Sequence, residues 1–145
     1  MGITNIMLNM TAAMLARDIT VSLWRTGLHP GFGVLHSTGD YRDACVFDLM
    51  EEFRAPLCES PVINAINSRV VSADMFTRVP GVGLHMGRDA AKGLIRCYER
   101  AAVREIKSQR TGKRANWRGI MSEQASLLAR HVEGTEEYQP YVMGY

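Results

Sequence analysis

The sequence predicts an all-α fold, a single helical bundle of about five main helices in one domain. Three features predict it. Apolar residues recur at three- and four-residue spacing over long stretches, capping residues with glycines and prolines bracket those stretches, and neither sustained strand alternation nor an internal repeat is present. At 145 residues, with 46% hydrophobic and 22% charged, the chain is long and apolar enough to bury a core, which argues against disorder.

Taken in order, Thr4 is expected to cap a first helix whose apolar positions Ile6, Met7, Met10, Met14, Ile19, Leu23 and Trp24 fall at helical spacing, ended by Gly27 and Pro30. It is apolar nearly all round and should be central. "GLHPGFGVLHSTGD" reads as a turn, a short extended piece at "FGVLH" and a second turn. A second helix is expected from about Tyr41 to Arg54, with Ala44, Phe47, Leu49, Met50 and Phe53 as its stripe and Pro56 closing it. Ser60 and Pro61 look like an N-cap and first residue of a third helix through roughly Val71, followed by a loop at "RVPGVGLHMG".

The fourth helix should run from Asp89 to about Ser108, turning Ala91, Leu94, Ile95, Tyr98, Ala102, Val103 and Ile106 inward and its arginines outward. "QRTGKRAN" is a short basic link. Asn116 then caps a fifth helix through His131, ended by Gly134, and the tail "TEEYQPYVMGY" has enough aromatics to dock on the body.

No run of apolar residues is long enough for a membrane span, because Asn5, Asn9 and the Arg17-Asp18 pair interrupt the N-terminal one. That run also lacks a basic start and a small-residue cleavage site, so a cytosolic protein with no membrane partner is expected. Cys45, Cys58 and Cys97 are odd in number and form no C-x-x-C pair, which argues against a disulfide framework or a thiolate zinc site. Charge is uneven. Residues 96–118 carry eight basic side chains (Arg96, Arg100, Arg104, Lys107, Arg110, Lys113, Arg114, Arg118) against Glu99 and Glu105, a net +6, which leaves −4 for the rest of a chain totalling +2. Such polarity suits one surface for polyanions and another for cations, although outward arginines also make an ordinary solvated face.

In "GVLHSTGDYRDACVFDLMEEFR", Asp48 and Glu51 lie three apart on the second helix and so share a face, whereas Glu52 points elsewhere. His36 precedes that helix in a turn able to bring its imidazole over the carboxylates. Two oxygen donors and an imidazole suit Mn²⁺ or Mg²⁺, and phosphoryl transfer is the chemistry such a site performs. The same acidic pair also fits a solvated surface. Arg54 either neutralises these carboxylates or meets a phosphate. His29 reads as a turn residue, His85 as part of a loop without phosphate-binding character, and His131 as a stabiliser of a helix C-terminus. Trp117 is either a base-stacking side chain or a buried anchor.

"GLHPGFGVLH" followed by "FDLMEEFRAPL" resembles the signature of the CRISPR-associated spacer-acquisition integrase, the "Cas one" family of prokaryotic adaptive immunity. There a helix with "LNYGYALL"-like residues leads through G-L-x-P-x-L-G-x-L-H to D-L-M-E-x-F-R-P. "GLHMGRDAAKGLIRCYERAA" is similar to that family's next long helix and "SEQASLLARHVEGTEEYQPYV" to its closing helix and tail, so the resemblance covers essentially the whole chain.

The resemblance implies that His36 and Glu51 hold a divalent metal, Mg²⁺ or Mn²⁺, with Asp48 assisting directly or orienting a metal-bound water. The family's remaining ligand, a glutamate, would lie before Met1. With the family's N-terminal β-rich domain also missing, residues 1–145 are expected to be a truncated C-terminal α-helical catalytic domain. "LNMTAAMLA" stands where "LNYGYALLL" is usual. The implied activity is that of a DNA endonuclease and integrase, joining DNA 3′-hydroxyl ends to the CRISPR repeat by transesterification. Its implied partners are double-stranded DNA as spacer precursor and repeat, a second copy in a homodimer, and the small ferredoxin-like CRISPR adaptation protein. The eight basic residues of 96–118 would contact DNA phosphates. A catalytically inert DNA-binding or assembly module on the same scaffold is the alternative, and an unrelated helical regulator a third reading.

Overall fold

The computed structural model describes residues 2–27 and 44–142. It is predominantly helical but not all-α: among the described residues two small antiparallel hairpins accompany the helices. The chain divides into two compact units, Met1–Met14 with Arg54–Ala102 and Leu15–Phe53 with Val103–Tyr145.

Helix α1 (Ile3–Thr26) starts just before Thr4 and ends at Gly27, whose φ of 83° reverses the chain as expected of a C-terminal glycine. By length and composition α1 is apolar enough to cross a membrane, contrary to the sequence expectation, yet Met7, Thr11, Met14, Leu15, Ile19, Ser22 and Leu23 form one buried face, as in a core helix. Trp24, expected inside, is 57% exposed.

In the first unit the helical path does not stop at Pro56. A π-helical turn (Ala55–Glu59) leads straight into α3 (Ser60–Asn67), and the Ser60 amide bonds the Ala55 carbonyl five residues back. Ser60 therefore has helical angles (φ −60°, ψ −46°) and is not an N-cap, which requires an extended backbone. Pro56 lacks an N–H and would crowd the carbonyl four residues before it; the wider turn accommodates this without breaking the helix. The Thr11 hydroxyl meets this segment at the Cys58 carbonyl, 3.3 Å away.

α3 ends at Asn67 rather than Val71, where Arg69 turns the chain with a φ of 61°. The expected loop at "RVPGVGLHMG" is a hairpin, β1 (Phe76–Val79) paired with β2 (Gly83–Met86). Pro80 followed by Gly81 at φ 77°, closed by Val82 N–H to Val79 O at 3.1 Å, is the chemistry of a type II turn, and strands of four residues are too short to show alternation. α4 (Arg88–Val103) buries Ala90, Gly93, Leu94, Cys97, Tyr98 and Ala102. Its inner face is rotated from the expected one, leaving Ile95 and Val103 exposed, because glycine rather than a bulky residue faces Val70. Met7, Val62, Ala65, Val71, Phe76 and Leu94 lie in this unit's core.

The second unit contains α2 (Ala44–Arg54, except its last residue) and α5 (Trp117–Glu133). The fourth helix does not reach Ser108, since β3 (Glu105–Lys107) pairs with β4 (Arg114–Asn116) across "QRTGKRAN". Asn116 caps α5 as expected, its Oδ1 accepting from Gly119 N–H at 2.8 Å, and Gly134 closes it at φ 79°. Leu15, Ile19, Leu23, Leu49, Phe53 and Ile120 are buried here, and the tail docks through Tyr138 and Tyr141.

Candidate functional site

Over residues 46–54 of α2 the buried residues are Val46, Asp48, Leu49, Met50 and Phe53, while Phe47 is 56% exposed. An aromatic expected in the core thus faces out and its acidic neighbour faces in. Asp48 is 4% exposed; Glu51, one turn later, is exposed. The two carboxylates share a flank of the helix but differ in solvation. Their oxygen donors fit a hard divalent cation in kind. They do not complete a site: among the described residues no group of three His, Cys, Asp or Glu side chains is placed to hold a metal ion. His36, with His29 and the turn around them, lies outside the described residues.

Sequence reasoning set Glu52 aside, yet its carboxylate gathers three hydrogen-bond donors. Oε1 accepts from the Tyr141 amide at 2.7 Å and from Gln124 Nε2 at 2.8 Å, while Oε2 accepts the Tyr138 phenol. Burial pushes its carboxyl above the ordinary value of 4.5, partly countered by those bonds. Gln124, 1% exposed, also reaches the Gln139 carbonyl at 3.1 Å. Next to Glu52, Phe53 meets Trp117 edge-on at 6.1 Å and stacks with Tyr141 at 6.4 Å, and Trp117 meets Tyr141 at 5.8 Å. Trp117 is therefore the buried anchor, 5% exposed, and offers no face to a base. The Nδ1 of His131 accepts the Tyr138 amide at 3.1 Å, so this histidine ties down the tail. No local spacing signals these contacts, because Glu52's partners come 72 to 89 residues later.

The basic residues divide between the units. Arg96 and Arg100 are exposed on α4 in the first, and Arg104, Lys107, Arg110, Lys113 and Arg114 are exposed on and around the β3–β4 hairpin in the second. Ser108, 1% exposed, braces that hairpin's turn: its hydroxyl bonds Glu123 at 3.0 Å and its amide the Lys113 carbonyl at 2.8 Å. Arg114 pairs with Glu105 at 3.3 Å and Arg110 with Glu136 at 3.3 Å, both partly in solvent. Arg118 is held differently, with Nε and Nη2 both on Asp18 Oδ2 at 3.3 and 3.2 Å.

Comparison with known proteins places these features in a family. CRISPR-associated endonuclease Cas1 3 of Thermus thermophilus is 31% identical over 140 residues, which are 96% of this chain and 42% of that protein. The chain thus spans about two fifths of this relative's length. Among solved structures, a casposase bound to integration product superposes with a TM-score of 0.83 at 21% identity, over 98% of this chain and 42% of that one. A Cas6-RT-Cas1–Cas2 complex gives 0.75 at 19% identity over 97% of this chain and 15% of that one. The family model described as CRISPR associated protein Cas1 matches residues 3–100, and the chain belongs to that family.

Proposed function

We propose that this chain is the α-helical catalytic domain of a CRISPR spacer-acquisition integrase, which joins DNA 3′-hydroxyl ends to the CRISPR repeat by transesterification. One observation carries the proposal: the stretch matched by the family runs through His36, Asp48 and Glu51, the positions whose side chains suit a hard divalent cation. In this reading His36 and Glu51 hold Mg²⁺ or Mn²⁺, with Asp48 beside them. A divalent ion held by these residues would supply Lewis-acid polarisation of a phosphodiester and charge stabilisation for its leaving oxygen. Asp48, being buried, keeps its carboxylate on one bearing from α2, whereas exposed Glu51 is open to an arriving ion and substrate. The basic side chains grip the duplex through its phosphates without reading its sequence. The endonuclease name of the Thermus thermophilus relative supports a nucleic-acid substrate, and the Cas2 in the Cas6-RT-Cas1–Cas2 complex supports a Cas2-like partner; a cytoplasmic homodimer remains part of the proposal.

A second reading, an inert DNA-binding or assembly module, is favoured by the basic hairpin, which is built without reference to a metal. The two separate by experiment. In a full-length protein that supplies the further glutamate the resemblance requires, Mn²⁺ or Mg²⁺ should support cleavage or joining of branched DNA, and His36→Ala or Glu51→Ala should abolish this while leaving duplex affinity nearly intact. Strand transfer that persists in those variants sinks the enzyme reading. Absence of duplex affinity at low salt sinks both.

A further inference from the structure

Helix α2 carries the acidic motif, and the tail is bonded to that helix at the residue following Glu51. Within the second unit, three donors converge on Glu52: the Tyr138 phenol, the Tyr141 amide at 2.7 Å and Gln124 Nε2 at 2.8 Å. Two of the three belong to the tail, and the third comes from a buried α5 side chain that also bonds the tail at Gln139 O. Phe53, fully buried, then clamps Tyr141 against Trp117. A helix gripped at consecutive side chains, one by directional hydrogen bonds and the other by ring packing, cannot turn about its axis without breaking one set. Asp48 lies one turn before Glu52 and Glu51 is its neighbour, so whatever fixes Glu52 fixes their directions.

We infer that residues Tyr138–Tyr141 form a strap that acts through Glu52 to set the bearing of the Asp48 and Glu51 carboxylates, which makes Glu52 a positioning residue. Its role at a metal rests on the function proposed above; its hold on α2 does not. Hydrogen bonds accepted by a carboxylate are stronger than those between neutral groups, and Tyr138→Phe deletes one such bond while keeping the ring beside His131.

The test uses the whole chain with two readouts: amide hydrogen exchange residue by residue, and Mn²⁺ affinity followed by paramagnetic line broadening. Glu52→Gln and Tyr138→Phe should each speed exchange along residues 46–53 about tenfold, with α5 little changed, and weaken Mn²⁺ binding several-fold. The double variant should do little more than either single one, because both cut the same link. Glu51→Gln should weaken Mn²⁺ binding with α2 exchange unaltered. Unchanged exchange along α2 in both strap variants overturns the inference, as does a rise shared equally by α5, which is what loss of packing alone produces. If the unsubstituted chain shows no Mn²⁺ effect at all, the metal reading fails, and the exchange pattern alone decides the strap. Should Glu52→Gln fail to fold, Tyr138→Phe decides it.

Discussion

Tyr138 donates its phenolic hydrogen to Oε2 of Glu52 across 86 residues of sequence, joining the tail to α2. The acceptor is a carboxylate brought out of water, and its surroundings oppose one another: burial favours the neutral acid, while the three donors favour the anion.

That balance has a signature in pH. Burial outweighs the hydrogen bonds at Glu52, so its folded-state value lies above 4.5. Between 4.5 and that raised value the folded chain holds more protons there than the unfolded chain, and stability contributed by this group falls as pH rises through the window. Glu136 behaves oppositely. The Arg130 hydrogen bond leads the causes that hold it below 4.5, so its contribution is present above 4.5 and is lost as pH falls through the lowered value. Denaturation midpoints measured across that acidic to neutral range should decline less steeply above 4.5 in Glu52→Gln, and lose less on the acid side in Glu136→Gln. Parallel curves for variant and parent would contradict either assignment.

The ring cluster should dominate the stability of the second unit. Phe53 is completely buried between Trp117 and Tyr141, and Phe53→Ala should cost about 3–5 kcal/mol in denaturant unfolding, as large core truncations do. Tyr141→Phe keeps the rings and removes only the acceptor for Gln109 N–H at 3.2 Å, with a loss of about 1 kcal/mol. Equal losses from the two would show that the hydroxyl, not the packing, holds the tail.

Local chemistry made some of this visible in the sequence and hid the rest. Asn116 and Gly134 announced both ends of α5, because capping depends on residues within a few positions of each other. Periodicity located the main helices but not α4's rotation, since Gly93 has no hydrophobic weight and yet marks the face of closest approach. The two hairpins escaped because three- and four-residue strands leave no alternation to read, although Pro80-Gly81 was turn chemistry in plain sight. Pro56 looked like a stop because a π-turn has no sequence signal of its own. At the candidate site the Asp48 and Glu51 spacing was legible, but Glu52's role depends on a tail 86 residues away and lies beyond any window reading.

Two glycines of the first unit should respond differently to the same substitution. An added Cβ at Gly87 would sit 2.6 Å from the Met75 carbonyl oxygen, which also accepts the Gly87 amide at 2.8 Å. Backbone on both sides cannot yield, so Gly87→Ala should destabilise by about 1–3 kcal/mol. At Gly93 the 2.6 Å neighbour is Val70 Cγ1, the end of a side chain that is 39% exposed and able to rotate away. Alanine's advantage over glycine in a helix, roughly 1 kcal/mol, then offsets much of the crowding. Thermal melts should rank Gly87→Ala well below Gly93→Ala, and the reverse order would mean that Val70 is fixed.

Arg118 and Lys113 should separate structural from DNA-facing charge. Arg118 places two nitrogens on one Asp18 oxygen, with its side chain 33% exposed and that of Asp18 14%, while Lys113 is exposed beside the turn of the basic hairpin. A side chain that contacts phosphate releases counterions, so its removal lowers the slope of log affinity against log salt by about 0.9 on duplex DNA. Lys113→Ala and Lys107→Ala should each reduce the slope by about that amount and weaken different duplexes alike. Arg118→Ala should leave the slope nearly unchanged and lower stability instead, because it removes a two-nitrogen contact from a largely buried Asp18. Asp18→Asn added to Arg118→Ala should recover part of that stability. A full unit of slope lost with Arg118 would place its guanidinium on the phosphate in the complex, which requires the Asp18 pair to open when DNA binds.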